Sequence, residues 1–347
     1  MSDDSADTER TREHPGSSTA LDVAKAAKVS RIMVSRAFNP EASVRPDKRQ
    51  HILDVAASLG YHPDMAARAM VTRRSNLVAV VVSTLANPWE AQEIDALTAV
   101  LQEDGLAVMV FRMEHKSRLQ FNFAHIRAYR PAAVIAYMDD LKPHQLRRAF
   151  GNSPAIYPVY GAHAPTDHDE HMVDRLHVEQ HEGIANAVRL LAGTGRKRLL
   201  YVRGEGAASD LDRVNALEEA LAEHSIVFEA AIDGNFDYAT TRAAVINYWR
   251  GEGQPDAIFA ANDTSAFGAI DALRYDLGVS VPQQCAVVGF DNIREAAWQA
   301  YNLTTIGVDL RERVQALRRM VAARVSEPRA RSMVETIRAR LVVRGTA

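Results

Sequence analysis

Apolar residues recur with the period of amphipathic helices between Thr19 and Tyr61. The pattern predicts two short helices joined by a tight turn at Lys28–Val29, and a third helix that begins at Pro46 and ends at Gly60. We expect their inner faces to contain Leu21, Val23, Ala24, Ala27, Met33, Val34, Ala37, Phe38, Ile52, Leu53, Val55, Ala56 and Leu59. Two such helices with a supporting helix behind them leave one helix exposed, where it can read DNA.

The second of these helices is the predicted reading helix. Ser30 suits its N-cap, because the side-chain oxygen can accept a hydrogen bond from a free backbone N–H of the first turn. The first helix has an analogous start, in which Thr19 and Asp22 can form a capping box. With the apolar residues turned inward, the outward face of the second helix consists of Arg31, Ile32, Ser35 and Arg36.

The pattern changes beyond Ser75, where short apolar runs alternate with helix-like segments. Near-continuous apolar strands separated by helices are typical of parallel sheets covered on both faces, and the repeat is long enough for two sheets. A polar stretch from Ala164 to Glu170 fits a boundary between two lobes. The predicted strands are Leu77–Leu85, Leu106–Phe111, Ala132–Met138, Ala155–Gly161, Arg198–Arg203, Val227–Ile232, Ala257–Ala261 and Ala286–Phe290, with further strands between Met333 and Val343.

Charge is distributed unevenly along the chain. The segment from Thr19 to Ser75 has ten basic and five acidic residues, whereas the whole chain has a net charge of −3. The segment before Thr19 is at −3, and the remainder from Asn76 onward is at −5. A basic head on an acidic body is the electrostatic pattern of a DNA-binding domain with a separate domain behind it.

The sequence offers little support for an enzyme. It contains no GxGxxG, Walker or GxSxG motif. His163, His168 and His171 lie near acidic residues, but their irregular spacing favours an exposed loop over a metal site. We therefore expect no catalytic residue, no cofactor and no metal.

Cys285 is the only cysteine, which excludes an internal disulfide and predicts a small buried apolar side chain. No apolar run is long enough to cross a bilayer, and no signal-peptide segment precedes Thr19. The polar residues 1–18 are expected to form a disordered tail. These features predict a cytoplasmic protein without a membrane partner. They disfavour the alternative function, that of a secreted solute-binding protein. That alternative also does not explain the positive charge of the segment from Thr19 to Ser75.

Several short motifs occur in an order and spacing that are specific when taken together. They are Leu21-Asp22-Val23-Ala24, Val29-Ser30, Val34-Ser35-Arg36, Gly60-Tyr61-His62-Pro63, Ala66-Ala67-Arg68-Ala69-Met70, Val287-Val288-Gly289-Phe290-Asp291 and Leu303-Thr304-Thr305-Ile306. In these motifs the chain resembles the LacI/GalR family of transcription regulators over nearly its whole length. The resemblance implies an all-α helix-turn-helix headpiece and a two-lobed α/β core of parallel sheets flanked by helices, like a periplasmic sugar-binding protein.

The resemblance also implies the domain boundaries. The helix-turn-helix domain covers residues 19–63, a hinge helix and linker cover 64–75, and the effector-binding and dimerisation core covers 76–347. With chain crossings near residues 162, 292 and 323, the first lobe takes about 76–162 and 293–322, and the second lobe about 163–292 and 323–347. No extended apolar heptad follows Arg324, so we expect a homodimer rather than a tetramer.

Members of this family lay the second helix of each protomer into the major groove of one half of a near-palindromic operator in double-stranded DNA. On this chain, Arg31 and Ile32 occupy the positions that vary with operator sequence, and Arg36 occupies the arginine position that reads a base edge. The residues expected to contact phosphates and set the register are Ser30, Ser35, Asn39, Val44 and Lys48. A helix C-cap is an equal alternative for Asn39.

The hinge contributes one further DNA contact by resemblance. Met70 occupies the position of the apolar wedge that family members insert into the minor groove at the operator centre. The helix that carries it is too short to be stable alone in water, so we expect it to order when dimer and DNA come together. The alternative is that Met65 and Met70 pack on the core.

Several polar residues follow predicted strands, where the ligands of open α/β sheets bind. The resemblance places them in an effector cleft, and they are Asn87, Trp89, Asp139, Arg213, Asn262, Asp263 and Asp291. Trp89 can stack on a sugar or base ring or belong to the core. Asp263 can also cap a helix, and Asp139 can lie in a solvated loop with Asp140.

Three positions depart from the family. Lys28 stands where the turn usually has Gly, Arg45 where a capping Ser is common, and Asp64 where Asn is usual. The sequence as a whole predicts a ligand-responsive transcription regulator, in this family most often a repressor. Its effector is expected to be a small molecule such as a sugar or related metabolite, which acts through its different affinity for two arrangements of the lobes.

Overall fold

The computed structural model describes residues 18–38, 42–62, 75–113, 119–138, 143–151, 153–160, 173–204, 208–251 and 253–347. The chain forms two compact units, which divide between Arg74 and Ser75. The predictions for Asn39, Asp64, Met70 and Asp139 lie outside the described residues, as does the prediction for the three histidines between 163 and 171.

The first unit contains the three predicted helices, α1 (Ala20–Ala26), α2 (Arg31–Ala37) and α3 (Pro46–Ser58). Its buried core consists of Val23, Ala24, Ala27, Val34, Ala37, Ile52 and Ala56. Two predicted core positions are wrong, because Leu21 is 52% exposed and Leu59 is 37% exposed. Leu21 lies to one side of the face that buries the other apolar residues of α1, and Leu59 follows the last turn of α3.

The starts of the helices follow the sequence prediction. Thr19 and Asp22 form a reciprocal capping box, in which the backbone N–H of Thr19 donates to Oδ2 of Asp22 at 2.9 Å. Hydrogen bonds from the side chain and backbone of Thr19 lower the pKa of the Asp22 carboxyl. Lys28 has a φ of 54°, a left-handed conformation that favours glycine. Helix α3 starts with Pro46, and Arg45 provides no side-chain cap.

The second unit is built on two six-stranded sheets in its described part. Its strands are β1 (Leu77–Val82), β2 (Ala107–Arg112), β3 (Ala133–Tyr137), β4 (Ala155–Tyr160), β5 (Val173–Glu179), β6 (Arg198–Arg203), β7 (Val227–Asp233), β8 (Ala257–Ala260), β9 (Ala286–Phe290), β10 (Thr304–Gly307), β11 (Val334–Arg338) and β12 (Arg340–Val342). The first sheet has the order β11-β5-β4-β3-β1-β2 and the second β12-β10-β9-β8-β6-β7. The observed pairs are parallel except for β10 with β12.

Helices connect these strands and cover the sheets. They are α4 (Pro88–Glu103), α5 (Leu119–Ala128), α6 (Pro143–Phe150), α7 (His181–Gly193), α8 (Ala208–Ala222), α9 (Tyr238–Gly251), α10 (Asp263–Asp271) and α11 (Leu310–Ser326), with a π-helix at Ala272–Asp276 and a 3₁₀ helix at Arg294–Ala297. Central strands such as β3 and β9 are buried at every residue. Because neighbouring residues of a strand point to opposite faces, both faces of these strands must be covered, as the apolar pattern predicted.

The chain crosses between the lobes later than the resemblance implied, so the boundaries near 162, 292 and 323 need correction. Strand β5, which the apolar pattern missed, belongs to the first sheet, and β10 belongs to the second. The crossings therefore follow β5 and β10, and the third lies between β11 and β12 at Ala339. The pattern missed β5 because Asp174 and Arg175 interrupt it. Buried Asp174 is paired with buried Arg324 of α11, whose Nε donates to Oδ2 of Asp174 at 2.6 Å.

The three crossings lie side by side. The backbone N–H of Ala339 donates to the carbonyl oxygen of Glu179 at 2.8 Å. Gly183, in the first turn of α7, packs so closely that a Cβ there would lie 2.8 Å from the carbonyl oxygen of Ala339 and 2.8 Å from Cγ2 of Ile306. The lobes are thus joined by three adjacent segments. Within the described residues, no helix is long and apolar enough to span a bilayer.

Candidate DNA interface and ligand cleft

Helix α2 presents the predicted reading face to solvent. Ser30 caps the helix by accepting a hydrogen bond from the backbone N–H of Met33 at 3.2 Å. Arg31, Ile32, Ser35 and Arg36 are exposed, with Ile32 at 70%, whereas Val34 and Ala37 are buried in the headpiece core. The buried positions fix the rotation of the helix, so the four exposed side chains form one outward surface. Lys48, on α3, is half-buried.

Arg49 holds the end of the reading helix, a role that sequence reasoning missed. Its guanidinium donates to the carbonyl oxygen of Ala37 at 2.7 Å and to that of Ala42 at 2.6 Å. These bonds satisfy a carbonyl at the C-terminus of α2, where the intrahelical pattern leaves acceptors free. In the sequence, Arg49 contributes only to the positive charge of the headpiece. Backbone carbonyls are present in every residue, so the sequence does not indicate which of them Arg49 bonds.

A cavity of about 460 Å³ lies in the second unit and has walls from both lobes. Such a volume suits a small organic molecule. The first lobe contributes Ser83, Thr84, Ala86, Asn87, Pro88, Trp89, Glu90, Tyr137, Pro158 and Arg313 to the lining, and the second contributes Ser209, Arg213, Asn235, Phe236, Asp237, Asn262, Thr264 and Asp291. Five predicted cleft residues, Asn87, Trp89, Arg213, Asn262 and Asp291, are thus brought together around one space.

The wall of the first lobe contains a buried polar network. Nε of Arg313 donates to Oε2 of Glu93 at 2.6 Å, and the hydroxyl of Tyr137 donates to Oε1 of the same carboxylate at 2.9 Å. The guanidinium carbon of Arg313 lies 4.6 Å from the ring centroid of Trp89. Burial, and next the charge of Glu93, raise the pKa of Tyr137 well above its usual range, so this hydroxyl stays a hydrogen-bond donor. At the entrance to α4, Asn87 caps the helix through a hydrogen bond from the backbone N–H of Trp89 at 3.1 Å.

The wall of the second lobe is arranged around Arg213. Its NH1 group donates to the carbonyl oxygen of Ala261 at 2.6 Å, and its guanidinium carbon lies 3.8 Å from the ring centroid of Phe290. Asn262 caps α10 by accepting from the backbone N–H of Ser265 at 2.8 Å. Asp291 follows β9 with a φ of 111°, which turns the chain sharply at the end of the strand. Asn262 and Asp291 follow strands, as the strand-end rule predicted, and Arg213 lies in the second turn of α8.

Phe236 forms the aromatic part of this wall, and sequence reasoning missed it. Asn235 and Phe236 both have positive φ, at 52° and 55°, which is uncommon for residues with a side chain. The ring lies over Gly204, where a Cβ would come within 2.0 Å of Cζ of Phe236. Glycine at 204 therefore makes the space for the ring, and Trp89 and Phe236 place aromatic side chains on both lobes of the cavity.

Asp263 does not line the cavity, which corrects its assignment as a cleft residue. It is fully buried, and its Oδ1 accepts from the hydroxyl of Thr305 at 2.5 Å while its Oδ2 accepts from the backbone N–H of Ile293 at 2.9 Å. Burial, and next the charge of Asp291, raise the pKa of its carboxyl well above the usual range. It fixes β10 and the segment after β9 to the start of α10, beneath the residues that do reach the cavity.

Comparison with known proteins identifies both units. Residues 19–64 match the model described as bacterial regulatory proteins, lacI family, and residues 188–347 match the periplasmic binding protein-like domain. The transcriptional regulator CelR of Thermobifida fusca is 30% identical over 282 residues, which cover 78% of this chain and 81% of the relative. The chain belongs to the LacI family. The transcriptional regulator GntR of Pseudomonas aeruginosa is also 30% identical, and the match covers 80% of each chain.

The fold of this LacI-family chain agrees with that of a solved regulator. The crystal structure of the Lac repressor dimer bound to operator and the anti-inducer ONPF matches with a TM-score of 0.81 at 23% identity, covering 95% of this chain and 98% of that one. The predicted headpiece and two-lobed core are confirmed. The LacI-family chain is a DNA-binding transcription regulator with a ligand-binding core, and its relatives are regulators rather than enzymes.

Two buried charged residues of the cavity wall, Glu93 and Arg313, have a signal in the sequence. Glu93 falls at helical spacing with Leu97 and Leu101, and Arg313 falls at helical spacing with Leu317 and Met320, so each interrupts an apolar stripe. A charged residue within a buried stripe needs a partner of opposite charge. Within the described residues, no group of three or more His, Cys, Asp or Glu side chains is arranged to hold a metal ion.

Proposed function

We propose that this chain is an operator-binding repressor that acts as a homodimer and responds to a small molecule held between the lobes of its core. The observation that carries the proposal is the outward face of α2. Two arginines, a serine and an exposed isoleucine project from a helix whose opposite side is fixed in the headpiece core. That arrangement suits a major groove, which admits an α-helix and offers donors, acceptors and thymine methyl groups at its floor.

The side chains of α2 divide into readers and positioning groups. Arg31 and Arg36 can each make the bidentate contact with guanine that is worth about 1–3 kcal/mol of discrimination against the wrong base. Ile32 can offer only apolar contact, for example with a thymine methyl. Ser30, Ser35, Asn39 and Lys48 are assigned to phosphates, which set register rather than sequence. Met70 is assigned to the minor groove at the operator centre.

The dimer is proposed because a two-fold axis would duplicate this face for the two halves of a near-palindrome. The Lac repressor dimer, whose fold the chain shares, is bound to operator and to an anti-inducer. A protomer that places one α2 on DNA contacts a single half-site, so the second copy supplies the affinity and the symmetry. Sedimentation of the full chain checks this, with a dimer expected and a tetramer contradicting it.

The cavity is proposed as the effector site. Aromatic side chains from both lobes, Trp89 and Phe236, can contact the faces of a ring, and hydroxyl, amide and guanidinium groups around them can bond its substituents. A sugar or related hydroxylated metabolite has this combination of faces and hydrogen-bonding groups. The effector controls DNA affinity only to the extent that its affinity differs between the two arrangements of the lobes.

The experiment that tests the DNA function is selection of bound duplexes from a random pool by the full chain. We expect a near-palindromic sequence to be enriched. Arg36→Ala should relax the preference at one base pair of each half-site by about 1–3 kcal/mol, because one bidentate pair is lost. Arg45→Ala is the matched control, since Arg45 is an exposed arginine outside α2, and it should leave the base preference unchanged. No enriched sequence from the wild type contradicts the proposal.

The effector function has its own test. A compound that changes the affinity for the selected operator must itself bind with an affinity that operator changes by the same factor. Titration of such a compound with and without operator measures both sides of this equality. Equal affinity in the two titrations excludes that compound as the effector, and failure of every compound to alter DNA binding excludes control by the cleft.

A further inference from the structure

Glu93 is a carboxylate inside the wall of the cavity. It lies on α4 and is fully buried, and it reaches the cavity only through its two partners, Arg313 and Tyr137, which both line the space. Arg313 is 1% exposed, and its guanidinium contacts both the Glu93 carboxylate and the Trp89 ring. The charge that Arg313 presents beside Trp89 is therefore balanced by a carboxylate 2.6 Å from its Nε.

The ion pair of Glu93 and Arg313 has no net charge, so it adds nothing to the charge of the cavity. The described lining residues that ionise are Arg213, Arg313, Glu90, Asp237 and Asp291. Apart from Arg313, whose charge is offset by Glu93, the ionisable lining residues are three acids and one arginine. Because charges interact more strongly near a protein interior than in bulk water, a charge on a ligand beside Trp89 should respond to this balance.

We propose that Glu93 is a specificity-determining residue, which makes the cleft select uncharged hydroxylated rings over their carboxylate or phosphate analogues by neutralising Arg313. The inference rests on the proposed role of the cleft as effector site. Without Glu93, the same Arg313 would offer an anion a charged donor next to an aromatic face, which is a favourable site for a carboxylate or phosphate. A single buried carboxylate thus sets the charge class of the ligand.

The test compares full-length variants for binding of inorganic phosphate and of the set glucose, glucuronate and glucosamine, by calorimetric titration at neutral pH. Glu93→Gln keeps the size of the side chain and removes its charge. We expect it to bind phosphate or glucuronate at least about tenfold more tightly than the wild type, because Arg313 is no longer balanced. Adding Arg313→Met to Glu93→Gln should abolish this gain, because the wall is again neutral.

Two further variants keep the test decisive if Glu93→Gln folds poorly. Arg313→Met leaves the Glu93 carboxylate unbalanced, so it should move selectivity in the opposite direction and favour glucosamine over glucose. Asp174→Asn is the matched control, because it unbalances another buried arginine, Arg324, that is not among the described lining residues. It also removes the charge of a buried carboxylate, and we expect it to leave anion binding at the cleft unchanged.

The inference is overturned if wild type and Glu93→Gln bind phosphate and glucuronate equally, including the case in which neither binds them. It is also overturned if the wild type binds either anion in the cleft with an affinity that Arg313→Met removes. In both cases the effector role of the cleft stands if a compound still shifts operator affinity in the wild type. If no compound does so, the proposed function of the cleft fails, whatever the selectivity of the variants.

Discussion

Gln92 and Glu295 join the two lobes of the core through their side chains. Nε2 of Gln92, on α4, donates to Oε2 of Glu295 at 2.7 Å, and Oε1 of Gln92 accepts from the backbone N–H of Arg294 at 3.1 Å. Glu295 and Arg294 belong to the 3₁₀ helix between β9 and β10 of the second sheet. One amide therefore uses both its donor and its acceptor across the boundary between the lobes, and holds them in this arrangement.

Replacing Gln92 by Ala should loosen this contact. Two hydrogen bonds are lost, one of them to a carboxylate, so we expect the arrangement to be destabilised by about 1–3 kcal/mol. Hydrogen exchange of the full chain measures this as faster exchange in Arg294–Ala297. Gln102→Ala is the control, since Gln102 is exposed near the end of the same helix. Equal exchange in the 3₁₀ helix of both variants would show that the contact does not hold the lobes.

Asp263 should make folding stability depend on pH in a predictable direction. Burial and the neighbouring Asp291 raise the pKa of its carboxyl in the folded state. The folded state therefore holds the proton more tightly than the unfolded chain. This contribution to stability is complete below the ordinary pKa of an aspartate and is lost as pH rises through the folded pKa.

The substitution Asp263→Asn removes that dependence on pH. The oxygen of the new amide can still accept from the backbone N–H of Ile293, and its nitrogen can donate to the hydroxyl of Thr305. Urea unfolding of the full chain should show the variant gaining stability relative to the wild type as pH rises above about 4. Asp237→Asn is the control of opposite sign, because hydrogen bonds from the backbone and side chain of Thr240 lower the pKa of Asp237. This variant should gain stability relative to the wild type as pH falls below about 4. If both variants change in the same direction with pH, the assignment for Asp263 is wrong.

Arg49 is expected to stabilise the headpiece by holding the end of α2. Arg49→Met keeps much of the apolar stem but removes the bonds to the carbonyl oxygens of Ala37 and Ala42. We expect a loss of about 1.5–3 kcal/mol of headpiece stability, the range for a hydrogen bond that involves a charged group. Hydrogen exchange over α2 in the full chain measures it. Arg45→Met, an exposed arginine at the start of α3, should leave exchange over α2 nearly unchanged.

Lys28 offers a stabilising substitution. Its φ of 54° lies in the left-handed region, which costs a residue with a Cβ about 1–2 kcal/mol. Lys28→Gly removes this strain but increases the freedom of the unfolded chain, so we expect a net gain of up to about 1 kcal/mol. Lys25→Gly is the same chemical change inside α1 and should lose about 1 kcal/mol. Thermal unfolding of the headpiece transition in the full chain distinguishes the two, and equal shifts would contradict the strain at Lys28.

The headpiece was predictable because its determinants are local. The capping residues Thr19 and Ser30, the turn at Lys28 and the start at Pro46 all lie within a few residues of the features that they fix. The strands β5 and β10 were not predictable in this way. Polar side chains inside them are satisfied by partners far along the chain, such as the Arg324 guanidinium for Asp174 and the backbone N–H of Arg344 for Thr304. A pattern of neighbouring residues contains no information about such partners.

The residues of the candidate cleft also fall into two groups, those that the local sequence predicted and those that depend on distant partners. Asn87, Trp89, Arg213, Asn262 and Asp291 were found because parallel sheets place residues at strand ends close together. Their role in effector binding stays a prediction. Glu93 and Arg313 are 220 residues apart, and Phe236 depends on the space over Gly204. These relationships arise only from the packed fold. The charged residues within the apolar stripes of α4 and α11 did indicate that buried partners of opposite charge exist.

A rotation of one lobe against the other would turn about the three adjacent crossings at the ends of β5, β10 and β11. Segments near a rotation axis move little, in agreement with the close packing of Gly183 on Ala339 and Ile306. Residues farther away would move in proportion to their distance from that axis. Spectroscopic labels on the two lobes far from Gly183 would therefore magnify a rotation of a few degrees, whereas labels beside it would register almost none.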